Sequence, residues 1–234
     1  MNLVTINLLR IYRPVALWFL SVIIVVMVAL EVILTPLGDD GDLPADGLWT
    51  LVAGSAVKYW LLVIGIMLSV MNLRTFVANG ITRRDFITGA ALFGIVVAVE
   101  LAFIVLLGHI AESVAMGTVA GSDRSHGYVP LTAGAAIGEF GRNVPAVLAF
   151  GVSGWLIGAA YYRFNPFIGT ALLAPALVPA GLTVWMLSVG DIAPISDAPL
   201  PYWPALGIVL AAVVVGYLAV RRILGDAAIR PAGW

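Results

Sequence analysis

Six stretches of this chain each run for roughly the length of a membrane crossing with almost no charge: 15–34, 49–70, 87–110, 144–162, 167–189 and 203–220. A hydrocarbon core of about 30 Å is crossed by about 20 apolar residues in a helix. Lipid supplies no hydrogen-bond partner, so each crossing must satisfy its backbone internally, which runs of this kind do as helices. The first run is longer than a signal-peptide core of about 7–15 residues. No small-x-small cleavage site follows it, so it is expected to remain as a helix of the mature protein.

Composition removes the alternatives. Hydrophobic residues make up 62% of the chain and charged residues 11%, against about 25% charged in an ordinary soluble domain. A soluble fold of 234 residues could not hide that much apolar surface, because burial is limited by the ratio of surface to volume. Disordered chains are poor in apolar residues, so disorder is excluded too. The reading is an all-α polytopic membrane protein: one transmembrane domain over 1–234, preceded within it by an amphipathic segment at 1–14. A formal net charge of −1 leaves no basic excess for nucleic acid. Arginine dominates lysine, of which Lys58 is the sole example, and alanine, glycine and valine abound. That bias fits a GC-rich bacterial genome, and with it a multi-pass protein of the bacterial cytoplasmic membrane.

Charge sets the orientation. With six crossings, Arg10, Arg13, Arg74, Arg83, Arg84, Arg163, Arg221, Arg222 and Arg230 all fall on one side, and only Arg124 and Arg142 on the other. The second side instead carries Asp39, Asp40, Asp42, Asp46, Glu112, Asp123, Glu139, Asp191 and Asp197. Positive residues mark the cytoplasmic side, so both termini are expected there. The longest outer loop, 111–143, contains a segment at 131–140 that reads as a short interfacial or re-entrant helix.

Several chemistries are missing. There is no cysteine, hence no disulfide, thiol nucleophile or Cys-ligated metal. The Walker A pattern needs a lysine after glycine, and Lys58 follows Val57, so ATP hydrolysis by this chain is not expected. His109 and His126 do not make H-E-x-x-H, and a metal would lack ligands. Gly151-Val152-Ser153-Gly154 matches the G-x-S-G of rhomboid intramembrane proteases, but a serine nucleophile needs a general base. No histidine follows His126. The favoured reading of this stretch is packing: Gly154 and Gly158 form a G-x-x-x-G pair, which lets helices approach closely.

The segment between spans two and three is the most informative. Arginines alternate with Phe76, Ile81 and Phe86, Gly80 breaks it, and Thr82 can cap a helix starting at Arg83. An ordinary positive-inside loop accounts for these features. The run Asn79-Gly80-Ile81-Thr82-Arg83-Arg84-Asp85-Phe86, the span opening Thr88-Gly89-Ala90, the stretch Gly158-Ala159-Ala160-Tyr161-Tyr162-Arg163-Phe164 and the amphipathic start together resemble the permease subunits of ABC-2-type exporters. The resemblance implies a permease that pairs with a second permease subunit. Each would dock on a separate ABC ATPase, which carries the ATP and Mg, with membrane lipid around the pair. A cytoplasmic coupling helix between spans two and three, bearing Phe76, Gly80, Thr82, Arg83, Arg84, Asp85 and Phe86, would contact the ATPase. The cargo would be a lipid, an antibiotic or an antimicrobial peptide. A ligand-binding immunity protein that moves nothing is the other non-enzymatic reading.

Ionisable residues inside a span cost about 2.5–3.5 kcal/mol on insertion scales. Glu31 lies near the outer end of its span and reaches the interface. Lys58 and Glu100 are deeper, at about 13 and 15 Å from the same face by a rise of about 1.5 Å per residue. An intramembrane polar pair between them is feasible, either structural or lining the substrate path. Pro175 and Pro179 in span five remove backbone donors, which predicts a kink, either fixed or flexing.

Overall fold

The computed structural model describes residues 3–34, 48–119, 132–187 and 200–225, and these are helical with no strand among them. The helices are α1 (Leu3–Leu34), α2 (Leu48–Met67), α3 (Leu73–Ala78), α4 (Arg83–Val119), α5 (Ala133–Arg163), α6 (Pro166–Ala171), α7 (Leu173–Ala176), α8 (Val178–Leu187) and α9 (Tyr202–Gly225). Five helical stretches are long and apolar enough to cross a membrane: Leu3–Leu30, Val52–Ala78, Arg83–Val114, Ala133–Arg163 and Tyr202–Gly225. Their exposed faces carry large apolar side chains, among them Trp18, Val25, Phe103, Val215 and Trp203. Such a surface suits lipid and not water, which makes this a multi-pass membrane protein. Most of the acidic residues assigned to the outer side, from Asp39 to Asp46 with Asp123, Asp191 and Asp197, lie outside the described residues, as do Arg124, Arg230 and the side chain of Glu31.

α5 is the centre. Its apolar window is 72% buried, against 11% for α1, and it packs on α2, α4, α8 and α9. Small residues bring α2 and α5 together. A Cβ on Gly154 would overlap the Leu62 carbonyl, one on Gly158 would meet the Ile66 carbonyl oxygen at 2.5 Å, and one on Gly65 would overlap the Gly151 carbonyl. These neighbours are backbone atoms, so the two helices could not stay this close with larger residues there.

Three expectations change. The start of the chain is no separate interfacial helix: α1 runs unbroken through Pro14 from Leu3 to Leu34. Its first turns are buried at Val4, Thr5, Leu8 and Tyr12, and Thr5 Oγ1 donates to the Gly89 carbonyl on α4 at 2.9 Å. A proline deep in a helix deletes one backbone bond and leaves the rest, so tertiary contacts carry the helix across. The segment at 131–140 is likewise no independent helix. From Ala133 it forms the first turns of α5, capped by Thr132, whose side chain accepts from Ala135 N at 3.2 Å. Leu131 lies outside the described residues.

The third change concerns the coupling helix. α2 passes through a π turn at Leu68–Asn72 straight into α3, and α4 begins five residues after α3 ends. No separate helix lies between them. The fifth apolar run is kinked. It is divided into α6, α7 and α8 at Leu172 and Leu177, which have ψ near −4° and −5°. Backbone bonds still cross both points, from Ala176 N to Leu172 O at 3.0 Å and from Gly181 N to Leu177 O at 2.9 Å. Pro175 and Pro179 bend the run without severing it.

Candidate functional site

One rim of the bundle is built from two helix ends closed back to back. α3 ends in a Schellman turn, with Ile81 N donating to Phe76 O at 3.1 Å and Gly80 N to Val77 O at 3.0 Å. Gly80 has φ +84°, a left-handed conformation that glycine takes without steric cost. α4 starts at once. Asp85 N donates to Thr82 Oγ1 at 3.2 Å, and that hydroxyl donates to the Asp85 carboxylate at 2.7 Å. Phe76 and Phe86 are buried and meet with their rings tilted, 5.4 Å between centroids. Ala78, Asn79, Gly80, Thr82, Arg84 and Asp85 are the exposed face.

Arg83 is engaged elsewhere. It donates to the Gly225 carbonyl at 3.1 Å, and Arg163 donates to the carbonyls of Arg222 and Ile223 at 3.3 and 2.7 Å. The last carbonyls of a helix lack intrahelical partners and carry its negative dipole end. Two guanidinium groups therefore hold the end of α9 against α4 and α5. Two of the arginines that the charge count assigned to one side thus have a structural job that the count does not reveal.

The opposite rim carries a second polar layer. Trp49 at the start of α2 donates its backbone N–H to Glu112 Oε1 at 3.1 Å and its indole N–H to the Val105 carbonyl at 2.8 Å. Gly108 makes room for that ring. His109 Nδ1 lies 2.6 Å from Glu139 Oε2, with both side chains nearly buried. Tyr202 Oη donates to the Gly141 carbonyl at 3.0 Å. The His109–Glu139 contact joins α4 to α5 across thirty positions, and no local motif announces it.

Lys58 and Glu100 differ in burial. Lys58 is 4% exposed. Glu100 sits on an exposed stripe of α4 whose other members, Leu92, Ile95, Val99, Phe103 and Leu107, are all apolar. Matching depth does not bring the two into one environment. Ser153 is fully buried and its Oγ accepts from Ala180 N at 3.1 Å. Ala180 directly follows Pro179, so the hydroxyl caps a backbone donor at the kink.

Between these rims lies an apolar cleft of about 230 Å³. Gly65 from α2, Gly94 and Ile95 from α4, Trp155 from α5, and Val214 and Tyr217 from α9 are among its lining. It opens sideways between α4 and α9, where Ile95 and Val214 are 48% and 54% exposed. Trp155 and Tyr217 lie ring to ring at 6.3 Å, and Ser69 in the π turn donates to the Trp155 carbonyl at 3.4 Å. Trp155 Nε1 is buried with no acceptor among the described residues. No group of three or more His, Asp or Glu among the described residues is placed to hold a metal. Comparison of the chain with protein-family models, curated proteins and solved structures finds no match in any of the three.

Proposed function

We propose that this chain is the permease subunit of an ATP-driven exporter, crossing the bacterial cytoplasmic membrane six times with both termini inside. The observation that carries the reading is the cleft: an apolar chamber inside the bundle, with exposed apolar side chains at its mouth. Ligand sites are concave and largely apolar with a few polar groups, and this one is reached from the bilayer, where apolar cargo accumulates. The sixth crossing is the run Pro166 to Leu187, in which backbone bonds still span both breaks. The chain has no Walker A motif, so the energy comes from a separate ATPase. The rigid turn at residues 78–85, continuous with two spans, is its docking point, as the resemblance to ABC-2-type permeases implies.

The test is purification of tagged chain from its native membrane and identification of what comes with it. An ABC ATPase is expected in stoichiometric amount. Arg84→Glu should reduce its recovery several-fold, because Arg84 is exposed and Arg83 is occupied with α9. A chain that purifies without any ATPase, or an association indifferent to both Arg84→Glu and Asp85→Lys, overturns the reading and favours a binding protein that moves nothing.

A further inference from the structure

We propose that two copies of this chain pair in the membrane through α1 and α4, with Glu100 of each copy accepting hydrogen bonds from Trp18 and Ser21 of the other. The pairing goes beyond the exporter reading and stands without it. Glu100 sits within the apolar stretch of α4, exposed and with no hydrogen bond or ion pair among the described residues. A carboxyl group inside a bilayer almost always faces a protein interior or a polar partner. In the single chain it faces neither, so a surface that brings a donor belongs over it.

The bundle leaves a helix-wide face bare at that place. α1 starts against α4: Thr5 bonds the Gly89 carbonyl, and the Tyr12 ring lies 5.6 Å from that of Phe93. Gly89, Phe93, Val96, Glu100, Phe103 and Leu107 follow at steps of three and four, hence along one face of α4. α1 meets the first two and then leans onto α2, where Phe19 stacks on Trp60 at 5.7 Å. Farther along, the α4 face is uncovered, with Phe103 50% and Leu107 48% exposed beside Glu100. α1 is itself the least covered of the five long apolar helices.

The donors are on α1. Between Val15 and Leu30 its only side chains able to donate are Trp18 and Ser21. They are three positions apart, so they are neighbours on the helix surface, and both are exposed. The Trp18 indole N–H has no acceptor among the described residues. Ser21 donates to the Leu17 carbonyl of its own helix at 2.8 Å, and a carboxylate is the stronger acceptor. Depth agrees as well. α1 and α4 run in the same direction, since Thr5 meets Gly89 and Tyr12 meets Phe93. Beyond the Tyr12–Phe93 level, Trp18 and Ser21 lie about 9 and 14 Å farther on and Glu100 about 11 Å, at about 1.5 Å per residue. Copies related by a two-fold axis along the membrane normal meet at equal depth, and every contact occurs twice. α1 of each copy then covers the bare face of α4 in the other. In the single chain Glu100 carries a cost that leucine would not, and the second copy offsets it.

The experiment uses the full chain in liposomes at falling ratios of protein to lipid, with association read by energy transfer between copies labelled at Thr82→Cys. A dimer is expected. Glu100→Leu should weaken it roughly three- to tenfold, the scale of one interhelical hydrogen bond in a bilayer, without lowering the melting temperature of the separated chain. Glu100→Gln keeps an acceptor and should retain most of the association. Trp18→Phe with Ser21→Ala should weaken it to a similar extent, and adding Glu100→Leu to that pair should change little. The contact is mapped with two differently tagged chains: Val25→Cys in one and Leu107→Cys in the other should join on mild oxidation, and Val25→Cys with Val215→Cys on α9 should not. A chain that stays single at every dilution, leaving Glu100 to lipid or to a different protein, overturns the proposal. So does association indifferent to Glu100→Leu or to the donor pair, or an α1–α4 cross-link no more efficient than the α1–α9 one. A dimer as described in a chain that recruits no ATPase leaves the pairing standing and removes the exporter reading.

Discussion

At the scale of single residues, buried polar groups are assigned by their partners and not by their motif. The G-x-S-G stretch is the clearest case. Ser153 Oγ accepts from Ala180 N beside the Pro179 kink, so Ser153→Ala leaves a buried amide unpaired. That should cost about 1–3 kcal/mol, read as a fall in melting temperature with the helix content of the folded protein unchanged. A serine kept for catalysis would show no such fall. Lys58 and Glu100 give the complementary lesson. Residue counting placed them at one depth, but depth is only the coordinate along a helix. At about 3.6 residues per turn, position 100 falls on the exposed stripe with Val99 and Phe103, while Val97, Ala98 and Leu101 face the core. Lys58→Met should therefore lower stability and Glu100→Leu raise it, as an exposed intramembrane carboxylate is costly. The double variant should be additive within about 0.5 kcal/mol. A coupling clearly beyond that in a double-mutant cycle would show that the two side chains meet.

At the scale of elements, the α2–α5 contact is the joint on which the bundle is assembled. Gly154→Ala puts a methyl into the Leu62 backbone carbonyl, and neither atom can swing aside as a side-chain end would. Overpacking of this kind costs about 1–3 kcal/mol. Gly207→Ala on α9 meets nothing within 4 Å and should gain slightly in stability from helix propensity. Equal melting temperatures for the two variants would mean α2 and α5 have room to spare. Arg163→Ala belongs to this scale as well. It removes donors from the carbonyls of Arg222 and Ile223, so amide exchange should quicken in the last turns of α9 and stay slow in α5.

At the scale of the whole molecule, the question is which rim faces which compartment. The chain has no cysteine, so single introduced thiols report cleanly. Thr82→Cys, on the turn between α3 and α4, should be modified only from the cytoplasmic side. Gly134→Cys, at the start of α5, should react only from outside. Both are exposed and at opposite ends of the bundle. Labelling of both from one side, or of Thr82→Cys from outside, would invert or break the orientation drawn from the arginines.

Helicity and membrane residence were legible in the residues themselves, because the two depend on length and apolarity along one segment at a time. The Thr82 cap and the break at Gly80 were legible for the same reason, since a cap is satisfied within a turn of chain. What the sequence could not hold was the relation between distant segments. That α2 runs on through a π turn, that Arg83 and Arg163 grip the end of α9, that His109 meets Glu139 and that Gly94 faces an empty space are all decided by helical phase and by which neighbour lies opposite. Those are properties of packing. An apolar stripe looks alike whether it faces lipid, another helix or a cleft, and only the assembled bundle distinguishes the three.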